Sequence, residues 1–391
     1  MSPQDNFWVH VQQPTVPHYR LAFFDAVAER LGRKLRVSAS RDVRGGPASV
    51  ADQRDYLDLD HPCRELIGGR AMWQSAMTPA PEIGRGDVAV LCGNPRILST
   101  SRFAWLSRRR GMGLVWWGHG WSPTSSAWTM RLRGLLMRQV NAVLLYTDNE
   151  ATEWRTRLPD TVGVFGAQNA LDQSRTSTEV AHWTEDALAR FRRRHALEDR
   201  LVLLFCGRLR TRPTTGIDVL LHALVRLVGA DPRYLAVIIG DGDDRPRLQE
   251  LADRLGLQGH VRWLGAQYDE GENSPWFLSA LCFVYPGPIG LSLLHAMGYG
   301  LPVITHNDRR RHNPEIAALR HGWNGLEFVD GDVDDLARQI ESIGTDPARR
   351  CSMAANARTT ALSEFSVENM AERFCAAVMH ARRSALACAS S

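Results

Sequence analysis

Lysine is nearly absent from this 391-residue chain: among its 47 lysines and arginines, Lys34 is the one lysine. Arginine must therefore do almost all the cationic work, which suits planar, bidentate anion recognition better than point-charge contact. Cys-x-x-Cys pairs are missing too. The seven cysteines (63, 92, 206, 282, 351, 375 and 388) are odd in number, and Cys92, Cys206 and Cys282 lie inside apolar runs. That pattern predicts reduced core thiols rather than a disulfide scaffold. No apolar run approaches the roughly 18 residues of a membrane span. The polar start MSPQDN has no basic segment followed by an apolar core, so a cytoplasmic protein is expected. His306 and His312 stand six apart with no acidic pair beside them, which argues against a metal site. A net charge of +4 is too small at this length to call for nucleic acid.

What the chain does have is alternation. Short apolar stretches such as FWVHV (7–11), DVAVLC (87–92), GLVWW (113–117), RLVLLFC (200–206), YLAVII (234–239) and LCFVY (281–285) are separated by segments with helical spacing. A chain this long exceeds one core, and the alternation predicts two α/β domains with parallel sheets. Residues 173–198 are charged and strand-free, and are expected to form a linker. The expected division is 1–172, the linker, 199–364, and a C-terminal helix and tail over 365–391 that packs back on the first domain. Residues 43–85 are polar, rich in proline and glycine, and fit no element clearly.

GPIGLSLLHAMGYGLPVITH (287–306) reads as a glycine turn opening onto a short helix, then a Gly-Leu-Pro corner and a buried strand. Backbone N–H groups at such a turn, with the positive end of the helix dipole, suit a phosphate. In the first half, VWWGHGWSP places His119 just after a strand, between two glycines. The run 126–140 puts Trp128, Leu132, Leu135 and Leu136 toward one face and Arg131 and Arg138 near the other, which suits either core packing or a membrane surface.

Together with FCGRLRTRPTTGIDVLLHAL (205–224) and VIIGDGDDRPRLQELADRLGLQGHVRWLG (237–265), the 287–306 stretch resembles the nucleotide-binding half of the GT-B glycosyltransferases, specifically the retaining group called family 4. The resemblance covers residues 200–345 well and the whole chain more weakly. It implies two Rossmann-like domains with parallel sheets facing a central cleft. By the same resemblance Arg208 meets the donor diphosphate and His119 lies near the donor sugar. Gly207, Arg210, Arg212, Gly290, Leu291, Ser292 and His295 would complete the donor site, with the amides of Leu291 and Ser292 and the Ser292 hydroxyl on the distal phosphate. The loop QQPTVPHYR (12–20), with Thr15, His18 and Arg20, would approach the phosphates and the acceptor.

Two departures stand out. The family's lysine before the glycine is Thr215 here, and Gly287 and His295 occupy the positions of its Glu-x7-Glu pair. The resemblance implies a nucleotide-sugar-dependent hexosyltransferase of polysaccharide biosynthesis, working with retention, with neither metal nor cofactor, on a lipid-linked or cell-surface glycan intermediate. Peripheral association with the inner face of the cell membrane is compatible with it. Loss of both glutamates keeps open a non-catalytic sugar-nucleotide-binding or scaffolding protein, and a sugar-nucleotide epimerase or a transferase decorating a small natural product is a further alternative.

Overall fold

A computed structural model describes residues 7–43, 48–50, 54–66, 68–69, 71–121, 127–212 and 214–388. The chain divides into two compact units, Met1–Asp172 with Val367–Ser391, and Gln173–Ser366.

The first unit runs β1 (Val9–Gln12), α1 (Leu21–Arg30), β2 (Leu35–Ser38), β3 (Leu57–Asp58), β4 (Cys63–Leu66), β5 (Ala71–Gln74), β6 (Val88–Cys92), α2 (Ser99–Arg109), β7 (Gly113–Gly118), α3 (Ala127–Met137), β8 (Ala142–Leu145), α4 (Asp148–Arg155) and β9 (Gly163–Gly166). Seven strands form a parallel sheet in the order β3-β2-β1-β6-β7-β8-β9. Central strands such as Val88–Cys92 are buried throughout, as strands covered on both faces must be. The stretch that fits no pattern in the sequence, 43–85, holds β3 at the sheet edge and an antiparallel hairpin in which Cys63 pairs with Gln74.

The second unit begins with α5 (Ser174–His182) and α6 (Glu185–Arg194), where a linker is expected from the charge. The expectation fails because the half-buried Trp183, just after α5, and Phe191 of α6 dock these helices on the rest of the unit. Trp183 Nε1 donates to Ser274 Oγ at 2.8 Å, and Phe191 meets Trp276 edge-on with centroids 5.0 Å apart. There follow β10 (Leu201–Cys206), α7 (Ile217–Ala230), β11 (Tyr234–Ile239), α8 (Arg245–Arg254), β12 (Val261–Gly265), α9 (Glu270–Ser279), β13 (Cys282–Tyr285), α10 (Ser292–Gly298), β14 (Val303–His306), β15 (Gly325–Phe328), α11 (Val333–Thr345) and α12 (Pro347–Thr359). The six strands are parallel, in the order β12-β11-β10-β13-β14-β15. Leu220, Leu224 and Leu227 of α7 and Leu336, Ile340 and Ile343 of α11, at helical spacing, are buried together on one face of this sheet.

The chain then re-enters the first unit as α13 (Val367–Cys388). Met370, Phe374, Ala377, Val378 and Ala381 share a core with α1, and Phe374 lies edge-on to both Phe23 and Trp117 at 5.5 Å. Among the described residues, no helix is long and apolar enough to cross a membrane.

Candidate functional site

In an open parallel sheet, the crevice lies where neighbouring strands send their crossovers in opposite directions. In the second unit that point is between β10 and β13. The pairing of Leu203 with Cys282 and Leu204 with Phe283 brings their carboxyl ends abreast. Gly207, next after β10, abuts the ring of Tyr285, and Phe205 stacks on that ring at 4.7 Å. Alternate residues of the following loop are tied down: Gly207 N donates to Ile239 O and Leu209 N to Asp241 O. The Gly-Asp-Gly turn supports the loop, since a Cβ on Gly240 would sit 1.9 Å from Gly207 O. Arg208, Arg210 and Arg212 are exposed, and none of them forms a salt bridge or side-chain hydrogen bond among the described residues.

Further along, the same loop crosses the end of β13 backbone to backbone. A Cβ on Gly287 would lie 2.6 Å from Thr215 C and 2.7 Å from Thr214 O. This is why no carboxylate stands at 287: the 214–215 backbone fills the space that any side chain there would need. Thr215 is buried with its hydroxyl unpartnered. Ile289 N donates to His312 Nδ1 at 3.0 Å, and His312 Nε2 faces His306 O at 2.8 Å. That pairing fixes the neutral tautomer, and burial lowers the His312 pKa to about 4, with His306 adding to the shift. The turn is thus pinned just before Gly290, Leu291 and Ser292. Helix α10 starts at Ser292, so the Leu291 and Ser292 amides belong to the turn that has no partners within the helix.

His295 is not an isolated polar side chain. Its Nε2 lies 2.7 Å from Glu270 Oε1, which also accepts from Tyr299 Oη at 2.6 Å. Burial pushes the Glu270 carboxyl up, but the hydrogen bonds from His295 and Tyr299 outweigh it and leave the carboxyl below its ordinary value. Burial raises the neighbouring Cys206 thiol to about 12, and the charge of Glu270 adds to that shift. A carboxylate therefore stands near the end of β10, supplied by α9. The sequence gives no sign of it, because Glu270 reads as an ordinary acidic residue in a helix's first turn, beside the Asp269 cap that accepts from Glu272 N.

In the first unit, His119 follows β7 and stays exposed, its ring 4.4 Å from that of Tyr146. One edge of the ring meets solvent while the groups packed around the rest desolvate it, and this burial, then Arg133 and Arg20, lowers its pKa to about 4. The next residue is clamped from both sides. Gly120 N donates to Glu150 Oε1 at 2.8 Å, while Gly120 O accepts from Arg133 Nη1 and Trp154 Nε1 at 3.1 and 3.2 Å. Burial raises the Glu150 carboxyl to about 7, although several backbone N–H groups oppose the shift. Arg20 lies over the rings of Tyr19, Trp117 and Tyr146, Thr15 is buried, and His18 is exposed. Neither Glu150 nor Arg133 carries a motif, so sequence reasoning missed both.

Residues 189–360 match the family described as glycosyl transferases group 1. The matched stretch lies wholly inside the second unit. The lipopolysaccharide core biosynthesis glycosyltransferase LpsE of Rhizobium meliloti (strain 1021) is 32% identical over 179 residues, covering 45% of this chain and 49% of that protein. The alpha-D-kanosaminyltransferase of Streptomyces kanamyceticus is 28% identical over 238 residues, or 59% of this chain and 58% of that protein. The chain thus spans about half the length of these curated relatives. HepE from Anabaena, solved in complex with UDP, matches with a TM-score of 0.67 at 18% identity, over 95% of this chain and 98% of that one. At that identity the likeness is one of fold, the two Rossmann-like units of GT-B glycosyltransferases. The residues that match the group 1 family hold the β10–β13 switch point, its three unpaired arginines, and the turn at 287–292.

Proposed function

We propose that the chain transfers a hexose from a nucleoside diphosphate to an acceptor hydroxyl. The observation that carries this reading is the β10–β13 switch point, where unpaired arginines and a glycine-lined backbone turn meet without a competing carboxylate at 287. In the reaction the glycosidic C–O bond breaks and the diphosphate leaves with the electron pair. The acceptor oxygen bonds to the sugar carbon, and its proton passes to the departing phosphate oxygen. Arg208, helped by Arg210 and Arg212, meets that growing charge, and donors aimed at it lower the barrier more than they tighten substrate binding. The amides of Leu291 and Ser292, with the Ser292 hydroxyl, hold the distal phosphate. Glu270, oriented by His295 and Tyr299, accepts from a ribose hydroxyl and so supplies one of the two carboxylates missing from the motif. His119 offers a neutral imidazole to the sugar, and Thr15, His18 and Arg20 serve the acceptor side. Transfer proceeds with retention and without metal, the arginines and the amides doing that electrostatic work.

The acceptor we propose is a lipid-linked or cell-surface glycan intermediate, a reading that the likeness to LpsE favours. The likeness to a kanosaminyltransferase favours a second reading, a small natural product as acceptor. Incubation with UDP-, GDP-, ADP- and TDP-sugars tests the reaction. Slow release of free sugar from one of them, lost in Arg208→Ala, is expected. Donor binding with no release or transfer would mark a binding protein instead.

A further inference from the structure

From residue 88 to residue 147 the sequence has no aspartate or glutamate, yet it has eight arginines, at 96, 102, 108, 109, 110, 131, 133 and 138. Helices α2 and α3 lie in this stretch, and both pack on the same face of the first sheet. Two of the arginines are used inward: Arg110 Nη1 donates to carbonyls at 79, 80 and 83, and Arg133 to Gly120 O. Arg102, Arg108, Arg109, Arg131 and Arg138 are exposed and form no salt bridge among the described residues.

Large apolar side chains stand among these cations. Trp128 is 70% exposed, Leu135 57% and Trp105 52%. Trp128 and Leu135 are two turns apart on α3 and share a face, and the Arg109 guanidinium lies 4.8 Å over the Trp105 ring. The sequence leaves 126–140 open between core and membrane surface, and the structure splits it. Met137 and Arg133 are buried, Leu132 and Leu136 half-buried, and Trp128 and Leu135 face water, while Ser126 lies outside the described residues.

Between α2 and α3 opens a cavity of about 280 Å³, lined by Ala104 and Trp105 of α2, Leu132 and Leu136 of α3, and Leu91 and Trp116 of the sheet. The buried Trp116 indole N–H and the Thr100 hydroxyl, both on its lining, have no hydrogen-bond partner. An apolar cavity with two idle polar groups, Arg108 on its lining and further exposed arginines on the two helices that flank it, suits a lipid rather than a protein or a bare anion. Apolar area and cationic charge together are what hold a helix at an anionic bilayer.

We propose that the α2–α3 face docks on an anionic lipid surface and that its cavity takes one chain of a phosphate-bearing lipid. The site deepens the lipid-linked acceptor reading and rests on it for its role. Its test does not use transfer, so the two can fail separately. The full chain should sediment with phosphatidylcholine vesicles containing one-third phosphatidylglycerol at low salt, and not with phosphatidylcholine alone. Trp128→Glu with Leu135→Glu, both exposed, should weaken that binding at least about tenfold, and Arg102→Gln or Arg131→Gln about fivefold each. Ala104→Phe, which fills the cavity, should raise the Kd for monomeric dodecyl phosphate about tenfold and leave nucleoside diphosphate binding unchanged. Wild-type sedimentation that is absent, or kept in the Trp128/Leu135 variant, overturns the docking surface. Inorganic phosphate competing as well as dodecyl phosphate, or Ala104→Phe binding it like wild type, overturns the chain pocket.

Discussion

At the switch point of the second sheet, the chain crosses itself backbone to backbone, Thr215 against Gly287, and Arg208, Arg210 and Arg212 stand unpaired beside the crossing. The corresponding point of the first sheet, between β1 and β6, is closed by side chains. Gln12 Nε2 donates to Gln74 Oε1 at 3.0 Å, Gln74 Nε2 to Gln13 O at 2.8 Å, and Cys92 N to Gln12 Oε1 at 3.4 Å. One sheet keeps its amides and cations free for an anion, and the other spends its polar groups on itself. One strand over, His119 follows β7, and there the Glu150–Gly120–Arg133 clamp holds the backbone. Two sheets of one architecture thus carry different groups at their carboxyl ends: one exposes arginines beside a backbone turn, and the other a histidine ring beside a clamped backbone.

The harshest way to break the contrast is Gly287→Glu, which restores an acid but forces its Cβ into the 214–215 backbone. Overpacking of this kind costs about 1–3 kcal/mol, roughly 2–4 °C in Tm for each kcal/mol in a unit this size. We expect a clear fall in Tm and loss of diphosphate binding, read by calorimetry and titration. Unchanged Tm with gained activity would mean that the loop yields easily.

Two carboxylates, buried Glu150 and half-buried Glu270, sharpen the comparison, because their pH effects have opposite signs. Glu150 has its pKa raised from 4.5 to about 7 by burial, so the unfolded chain releases its proton first as pH rises. The first unit should lose stability between those two values, up to roughly 3 kcal/mol, and Glu150→Gln should flatten that part of the curve. A variant curve parallel to wild type from pH 4.5 to 7 would exclude a buried protonated Glu150. His119→Ala comes next in size: turnover should drop about tenfold with nucleotide affinity kept, whereas equal loss of both, with a lower Tm, would make the ring structural. Smallest is Glu270→Gln. Because Glu270 is held below 4.5, its stabilisation is present above that pH and fades as pH falls through its folded-state value. The variant should lose that acid-side decline and about 1 kcal/mol at neutral pH, and should discriminate less between ribose and 2′,3′-dideoxyribose donors.

The same contrast explains what the sequence could disclose. Buried parallel strands announce themselves as unbroken apolar runs, and Val88–Cys92, Leu201–Cys206 and Tyr234–Ile239 fall within a residue of their expected bounds. Arg208 and the turn before Ser292 are legible because glycine and arginine mark them locally. Helix α9 is not, since Gly271 and Pro275 interrupt its pattern and the Asp269 cap and burial of Phe277 hold it instead. With α9 unseen, the partnership of Glu270 with His295, 25 residues on, could not be read. Residues 173–194 mislead in the opposite sense: their outward charge hides two helices docked through Trp183 and Phe191. Glu150 and Arg133 converge on Gly120 only after folding, and no local spacing records that.

The central claim is that the β10–β13 switch point is a nucleoside diphosphate site built on Arg208, and calorimetric titration of wild type and Arg208→Ala with UDP, GDP, ADP and TDP tests it most directly. A hydrogen bond to a charged group is worth about 1.5–3 kcal/mol, so the preferred diphosphate should bind the variant roughly 10- to 150-fold more weakly, with Tm in the absence of ligand unchanged. Equal affinity of the two proteins for that diphosphate would contradict the account.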